Sequence, residues 1–256
     1  MKRALVNPLP KPNQPSLLDE DESHHLVHVF RLKNGDTVEC LDGEGNKCLA
    51  NLELLGKGKA RVLLQGDILR DETLLSLPIA LECSLLKAEA MEWVIEKSVE
   101  IGVRHFYPIQ TAHSVIQTSK KGPEFFQERW QKIANQALKQ CGRLDKMHVH
   151  LPTEMKTALI RNTTHRMWLN ETQKDISKNN AATLMQKLSE IKPTLLHQKN
   201  DTEITLLIGP EGGWSAIEID FLNKINTHSV SLGPWVFRAE TAAIFAASLS
   251  VAIMRN

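Results

Sequence analysis

Residues 204–213, ITLLIGPEGG, constrain the fold more tightly than any other part of the chain. The run opens as a short, continuous apolar stretch, the pattern of a strand buried on both faces as in a parallel sheet. It then reaches Gly209, turns at Pro210 and carries two more glycines, Gly212 and Gly213, where backbone comes closer to a neighbour than a side chain would allow. Ser215 with Glu218 three residues on forms a capping-box signal, so a helix is predicted from there. A second run, VSLGPWVFRAETAAIFAA at 230–247, repeats the order of apolar strand, Gly-Pro corner and helix. Two such corners predict two loops poor in side chains, side by side at the carboxyl ends of neighbouring strands, where open α/β sheets bind ligands.

The corners exclude some ligands. Neither carries the GxxxxGK[ST] of a phosphate loop or the GxGxxG of a dinucleotide fold. They are also short of lysines and of hydroxyls to hold a nucleotide's magnesium. Backbone amides with apolar walls (Leu207, Ile208, Leu232, Val236, Phe237) suit a flat heterocycle carrying few charges. GPEGG taken alone is equally a tight turn; its pairing with LGPWVFRAETA is what gives it weight.

IGPEGG followed by LGP, three residues and RAETA resembles the paired carboxy-terminal signature of the RsmE family, SPOUT-superfamily enzymes that methylate N3 of a uridine in 16S ribosomal RNA. Leu232, Gly233, Pro234, Arg238, Glu240, Thr241 and Ala242 match the second motif, and Trp235 stands where an arginine is usual. Similarity extends to KAEAMEWVIEKSVEIGV (87–103), QCGR (140–143) and HLVHVFRLKNGD (25–36), which with the paired signature make four blocks in the family's order. The resemblance implies an α/β protein: a C-terminal SPOUT α/β trefoil-knot methyltransferase domain (73–256) with the cofactor site and dimer interface, and a small N-terminal PUA-like β-barrel (1–72) that binds RNA. It implies S-adenosylmethionine as cofactor, held by Leu169, Asn170, Glu171, Leu207, Ile208, Gly209, Pro210, Glu211, Gly212, Gly213, Leu232, Gly233, Val236, Phe237, Arg238, Thr241 and Ala242. On this reading Gly212→Val abolishes cofactor binding.

Composition agrees with a globular enzyme but names no partner. At 256 residues there is room for a small and a medium domain. A net charge of +1 announces no nucleic-acid partner, so an RNA surface has to be a local patch. Cys40, Cys48, Cys83 and Cys141 show no CxxC spacing, and a reduced, cytoplasmic setting is expected. Pro8, Pro10, Pro12 and Pro15 break any export signal behind Lys2 and Arg3. Residues 242–254 are apolar but shorter than the roughly 20 residues of a spanning helix, so they read as a core or subunit-interface helix.

Residues 1–15 start with a short strand and continue as a proline-rich crossing. The acidic cluster 19–22 precedes a helical HHLVHVFRL, in which His24 and His28 share a face without a further ligand set, so no metal is expected. The turn dipeptides Asn34-Gly35 and Asp42-Gly43 separate strands predicted at 37–41, 47–55 and 59–64. Arg70, Asp71 and Glu72 form a charged joint. Beyond it a buried strand is predicted at 77–86, an amphipathic helix at 90–101 stopped by Gly102, and a strand at 107–109. Residues 118–146 are rich in cations (Lys120, Lys121, Arg129, Lys132, Lys139, Arg143, Lys146) and form a basic helix that is either a solvated face or a phosphate-binding one. The match of QCGR to the family favours RNA across a dimer. Arg3, Arg31, Lys139 and Arg143 are the RNA-contact candidates. RMWLNE at 166–171 is a third strand-to-loop step, and 173–203 is a polar connection with an amphipathic piece at 181–191.

The chemistry the resemblance implies is transfer of a methyl group to a uridine ring nitrogen. N3 has to shed its proton first, since the neutral imide nitrogen offers no useful lone pair. Arg238 and Glu240 are the catalytic candidates. Arg238 either stabilises the developing uridine anion or bridges the loop to a subunit neighbour, and the base is left open between Glu171 and Glu240. The partners implied are 16S rRNA or the assembled small subunit and a second copy of the chain, with no membrane and no metal. Two alternatives stand beside this reading: an enzyme of the same fold acting on a different nucleotide or RNA, and an RNA-binding assembly factor with a decayed site, for which Trp235 is the only support. Where the usual arginine served substrate or interface, that contact is either lost or supplied by Arg104, Lys139 or Arg143.

Overall fold

A computed structural model describes residues 1–72, 77–116, 118, 121–161, 163–170, 182–197 and 203–255. The chain divides into two compact units, Met1–Leu75 with Asn135–Lys146, and Ser76–Ala134 with Met147–Asn256.

The first unit is built on a five-stranded sheet in the order β1-β3-β4-β5-β2, with β1 Arg3–Leu5, β2 Ser16–Leu17, β3 Thr37–Leu41, β4 Asn46–Gly56 and β5 Lys59–Arg70. β1 runs parallel to β3 and the other pairs are antiparallel. The acidic cluster before the histidines is a helix start. Asp19 caps α1 (Glu20–His24) by accepting the Glu22 amide at 2.7 Å, and carboxylates fill the first turn, where the helix dipole favours them. The helix predicted through Leu32 instead opens into a π turn at His25–Val29, closed by the Phe30 amide on the His25 carbonyl. β5 runs past its expected end at Leu64, because Leu69 and Arg70 pair with Lys47 and Asn46 across the hairpin. Residues 135–146 join this unit through backbone bonds, Gly45 to Leu144 at 3.1 Å and Lys146 to Gly43 at 2.8 Å. Its core comprises Val6, Leu18, Leu26, Val38, Leu52 and Val62 with their neighbours.

The second unit holds a seven-stranded, all-parallel sheet in the order β12-β10-β11-β6-β7-β8, with β9 paired to β7. The strands are β6 Ile79–Ser84, β7 His105–Gln110, β8 His148–Val149, β9 Thr153–Glu154, β10 His165–Leu169, β11 Ile204–Ile208 and β12 His228–Val230. β6 and β11 are buried along their whole length, as continuous apolar runs in a parallel sheet should be. The helices are α2 Ala88–Ile101, α3 Pro123–Cys141, α4 Met155–Ile160, α5 Leu184–His197, α6 Ala216–Lys224 and α7 Ala239–Arg255. Gly102 ends α2 in the left-handed conformation, φ 106°, and Ser215 and Glu218 form the capping box of α6. α4 and α6 pack on Ile109, Trp168 and Leu207, while α7 packs on β6, β11, α2 and α5. Among the described residues no helix is long and apolar enough to cross a membrane.

Two polar clusters inside the second unit had no signal in the sequence. Glu82, fully buried in mid-strand, receives Nε and one terminal amino group of Arg166, each at 2.9 Å, and a third bond from Arg161 at 3.0 Å. Near it, the His150 ring stacks on Tyr107 at 4.0 Å, and its Nε2 lies 3.1 Å from His105 Nδ1. Burial, and then the charges of His105, His148 and Arg161, push the His150 pKa down to about 4. The folded unit therefore holds this ring neutral where the unfolded chain, titrating near 6.5, takes up a proton. The stability it protects is complete above the unfolded value and is lost as pH falls from 6.5 toward 4. His150→Phe is expected to flatten that part of the pH–stability curve in urea titrations; an unchanged slope would contradict the assignment.

Candidate functional site

The carboxyl ends of three strands open onto a cavity of about 620 Å³, within the usual range for small-molecule sites, roughly 300–1,000 Å³. β10 ends in Leu169 and Asn170, β11 in Ile208, Gly209 and Pro210, and β12 in Val230, Ser231 and Leu232, and all of these line the cavity. The two glycine corners do not follow neighbouring strands as their spacing predicted, since β10 lies between β11 and β12. That insertion brings Leu169 and Asn170 in as the middle wall. Asn170 is fixed there by its amide on the Val230 carbonyl at 3.1 Å and its side chain on Ser229 at 3.3 Å.

Hydrogen bonds from outside the loops hold the corner after β11. The Gly213 amide closes a turn onto the Pro210 carbonyl at 2.9 Å, and Nδ1–H of His113 donates to the Gly213 carbonyl at 2.9 Å. The Trp214 indole donates to the Leu169 carbonyl at 2.9 Å, which ties the corner to the end of β10. Glu211 accepts the amide of Lys87, the N-cap of α2, at 3.1 Å. Gly209 is required by close approach, because a Cβ there would stand 2.9 Å from the Trp214 ring. Gly233, at φ 130° with open space where a Cβ would lie, is required by its backbone.

Of the residues expected to hold the cofactor, Leu169, Asn170, Ile208, Gly209, Pro210, Glu211, Gly213, Leu232, Gly233, Val236, Phe237, Arg238 and Ala242 line the cavity, and so does Glu240. Leu207, Gly212 and Thr241 are not among its walls. Leu207 points into the core against α4 and α6, since side chains alternate along a strand. Thr241 is exposed on the first turn of α7. Gly212 faces His113, whose Cβ would lie 3.1 Å from an added Cβ. Gly212→Val thus acts by displacing His113 rather than by filling the cavity. A partial loss of ligand affinity, about tenfold, is expected by calorimetry; complete loss would show that Gly212 touches the ligand. Glu171 lies outside the described residues, as do Lys120 and most of the 173–203 connection. Sequence reading missed Lys87, Ala90, Trp214, Val230, Ser231, Pro234, Trp235 and Ala239 as wall residues.

The wall chemistry is mixed. Ile208, Leu232, Val236 and Ala242 supply apolar surface. The Ser231 hydroxyl is buried and has no hydrogen-bond partner among the described residues, a polar atom left for a ligand to satisfy. Lys87 and Arg238 are exposed cations with no ion-pair partner among the described residues.

The RNA-contact candidates are placed differently. Arg3 bonds Glu39 at 2.7 Å and the carbonyls of Lys139 and Gln140 at 2.9 Å each. Lys139 is buried against Glu22 at 2.5 Å, and burial raises the pKa of that carboxyl despite the nearby ammonium. Arg143 is buried and pairs with Asp145 at 3.1 Å. Arg3 thus ties β1 to residues 139 and 140, Lys139 ties the same segment to α1, and Arg143 pairs within it. Of the four, Arg31 is exposed, in the left-handed conformation at φ 55°.

Residues 73–251 match the family model of an RNA methyltransferase domain, and residues 18–65 match the PUA domain of RNA methyltransferases. The chain belongs to this RNA methyltransferase family. The resemblance to RsmE carried by IGPEGG and RAETA is borne out by its relatives. The chain is 27% identical over 228 residues to ribosomal RNA small subunit methyltransferase E of Bacillus subtilis, covering 89% of this chain and 86% of that one. It is 29% identical to the protein of the same name from Synechocystis, covering 91% and 71%. Among solved structures it is similar to a Legionella pneumophila methyltransferase in complex with the cofactor SAM, at 25% identity, TM-score 0.83 and coverage of 98% and 97%. It is also similar to ribosomal RNA small subunit methyltransferase E of Neisseria gonorrhoeae bound to S-adenosyl methionine, at 25% identity, TM-score 0.74 and coverage of 96% and 95%. The α/β second unit is the fold these methyltransferases share.

Proposed function

We infer that the chain transfers a methyl group from S-adenosylmethionine to N3 of a uridine in the 16S RNA of the small ribosomal subunit. The observation that carries this is the convergence of both glycine corners and the end of β10 on one cavity in a chain of this family. The cavity suits the donor: apolar walls for a flat heterocycle, and the Ser231 hydroxyl, without a partner among the described residues, for one of its polar edges. Bound there, S-adenosylmethionine supplies an electrophilic methyl group on a sulfonium.

The chain's own residues do the rest. Its loops hold the acceptor base in line with the donor and keep water out. Arg238 places a positive charge where the uracil ring becomes anionic. Of the two carboxylates on the wall, Glu211 is engaged with the Lys87 amide, so Glu240 is the one we assign to receive the imide proton. The first unit, with Arg31 on its surface, is assigned to RNA. Assembly as a homodimer, cytoplasmic residence, a trefoil knot in the second unit and independence of metal belong to the same proposal. The test is the small-subunit RNA of a deletion strain: one N3-methyluridine should vanish and return on complementation, and its persistence would overturn the assignment.

A further inference from the structure

Trp235 is 77% exposed although it stands on the cavity wall. The neighbouring Phe237 packs on Phe245, ring centroids 5.6 Å apart, whereas the Trp235 indole has no aromatic partner among the described residues. A large exposed ring on the wall of a cavity offers its face to a ligand that enters there. Lys87 and Arg238 flank the same mouth. A flat apolar ring beside two exposed cations fits an unstacked RNA nucleotide, whose base offers a π face and whose phosphates offer negative charge. A base that enters a methyl-donor pocket has given up stacking on its neighbours, and an aromatic side chain restores it.

We propose that Trp235 stacks on the acceptor base of the RNA substrate while Lys87 takes a flanking phosphate, an inference that rests on the methyltransferase reading above. It makes Trp235, at the exposed edge of the wall, a determinant of RNA affinity more than of donor affinity. A second copy of the chain is the competing occupant, and the two cations favour the polyanion.

The experiment compares wild type, Trp235→Ala and Trp235→Phe in the full chain. Fluorescein-labelled oligouridylate is titrated at low salt with saturating S-adenosylmethionine, and donor affinity and sedimentation are measured alongside. RNA affinity should fall about tenfold or more in Trp235→Ala and be largely kept in Trp235→Phe. Donor affinity should fall by much less than RNA affinity, and the oligomeric state should not change. Equal RNA affinity in Trp235→Ala, no RNA binding by wild type, a donor weakened as much as the RNA, or a shift to a smaller species each overturns the proposal. Methyl transfer by wild type to small-subunit RNA, measured in parallel, tests the function separately. Its absence would strike that reading while the affinity comparison still decides the role of Trp235.

Discussion

Gly209→Ala is expected to weaken S-adenosylmethionine binding by about 10- to 100-fold, each tenfold step being about 1.4 kcal/mol. The added Cβ would meet the Trp214 ring at 2.9 Å from Cε2 and 3.0 Å from Nε1, closer than two such atoms can settle. Either the indole moves or the Gly209 backbone does, and overpacking of this kind costs about 1–3 kcal/mol. If the indole moves, its bond to the Leu169 carbonyl is lost, and with it the tie between the ends of β10 and β11. If the backbone moves, Ile208 and Pro210 shift on the cavity wall. Both routes reach the ligand. Calorimetry reads the affinity and circular dichroism checks that the fold is kept; a dissociation constant within about twofold of wild type would mean that the donor does not use this corner.

Arg166→Leu is expected to be the most damaging single change to stability. Glu82 has no exposure and Arg166 is 6% exposed, so the pair meets across two bonds in a dry interior. Removing one partner of a buried pair costs about 3–5 kcal/mol, because the remaining charge stays desolvated. Arg161 keeps one bond to Glu82, which places the expected loss toward the lower end. The double variant Glu82→Met with Arg166→Leu should recover much of it, since no charge is then stranded. The readout is specific: all five tryptophans (Trp93, Trp130, Trp168, Trp214 and Trp235) lie in the second unit, so urea unfolding followed by their fluorescence reports on that unit alone. A loss below about 1 kcal/mol in Arg166→Leu would place the pair among weak surface contacts.

What was legible in the sequence was local. The capping box at Ser215 and Glu218, the Gly102 stop and the buried runs of β6 and β11 depend on neighbours within a few residues, and each formed as its spacing required. What was not legible depends on partners far along the chain. Glu82 reads as a misfit in an apolar strand until Arg166, 84 residues on, is seen to pair with it. Arg3 reads as a free cation until it meets the carbonyls at 139 and 140. The insertion of β10 between β11 and β12 is set by sheet order, which no local motif encodes. Leu207 illustrates a limit of motif reading: the motif places the residue in the loop's neighbourhood, but strand alternation sends its side chain to the core. Ser231 and Trp235 sat inside the recognised run, and only their burial and exposure marked them as wall residues.

The central claim is that one cavity, shared by the ends of β10, β11 and β12, holds the methyl donor. A crystal structure of the protein with S-adenosylmethionine tests it most directly. The adenine should lie between the corner at Ile208–Pro210 and the loop from Leu232, with the Ser231 hydroxyl gaining a partner; a donor lodged elsewhere, or none bound at saturating concentration, would contradict the account.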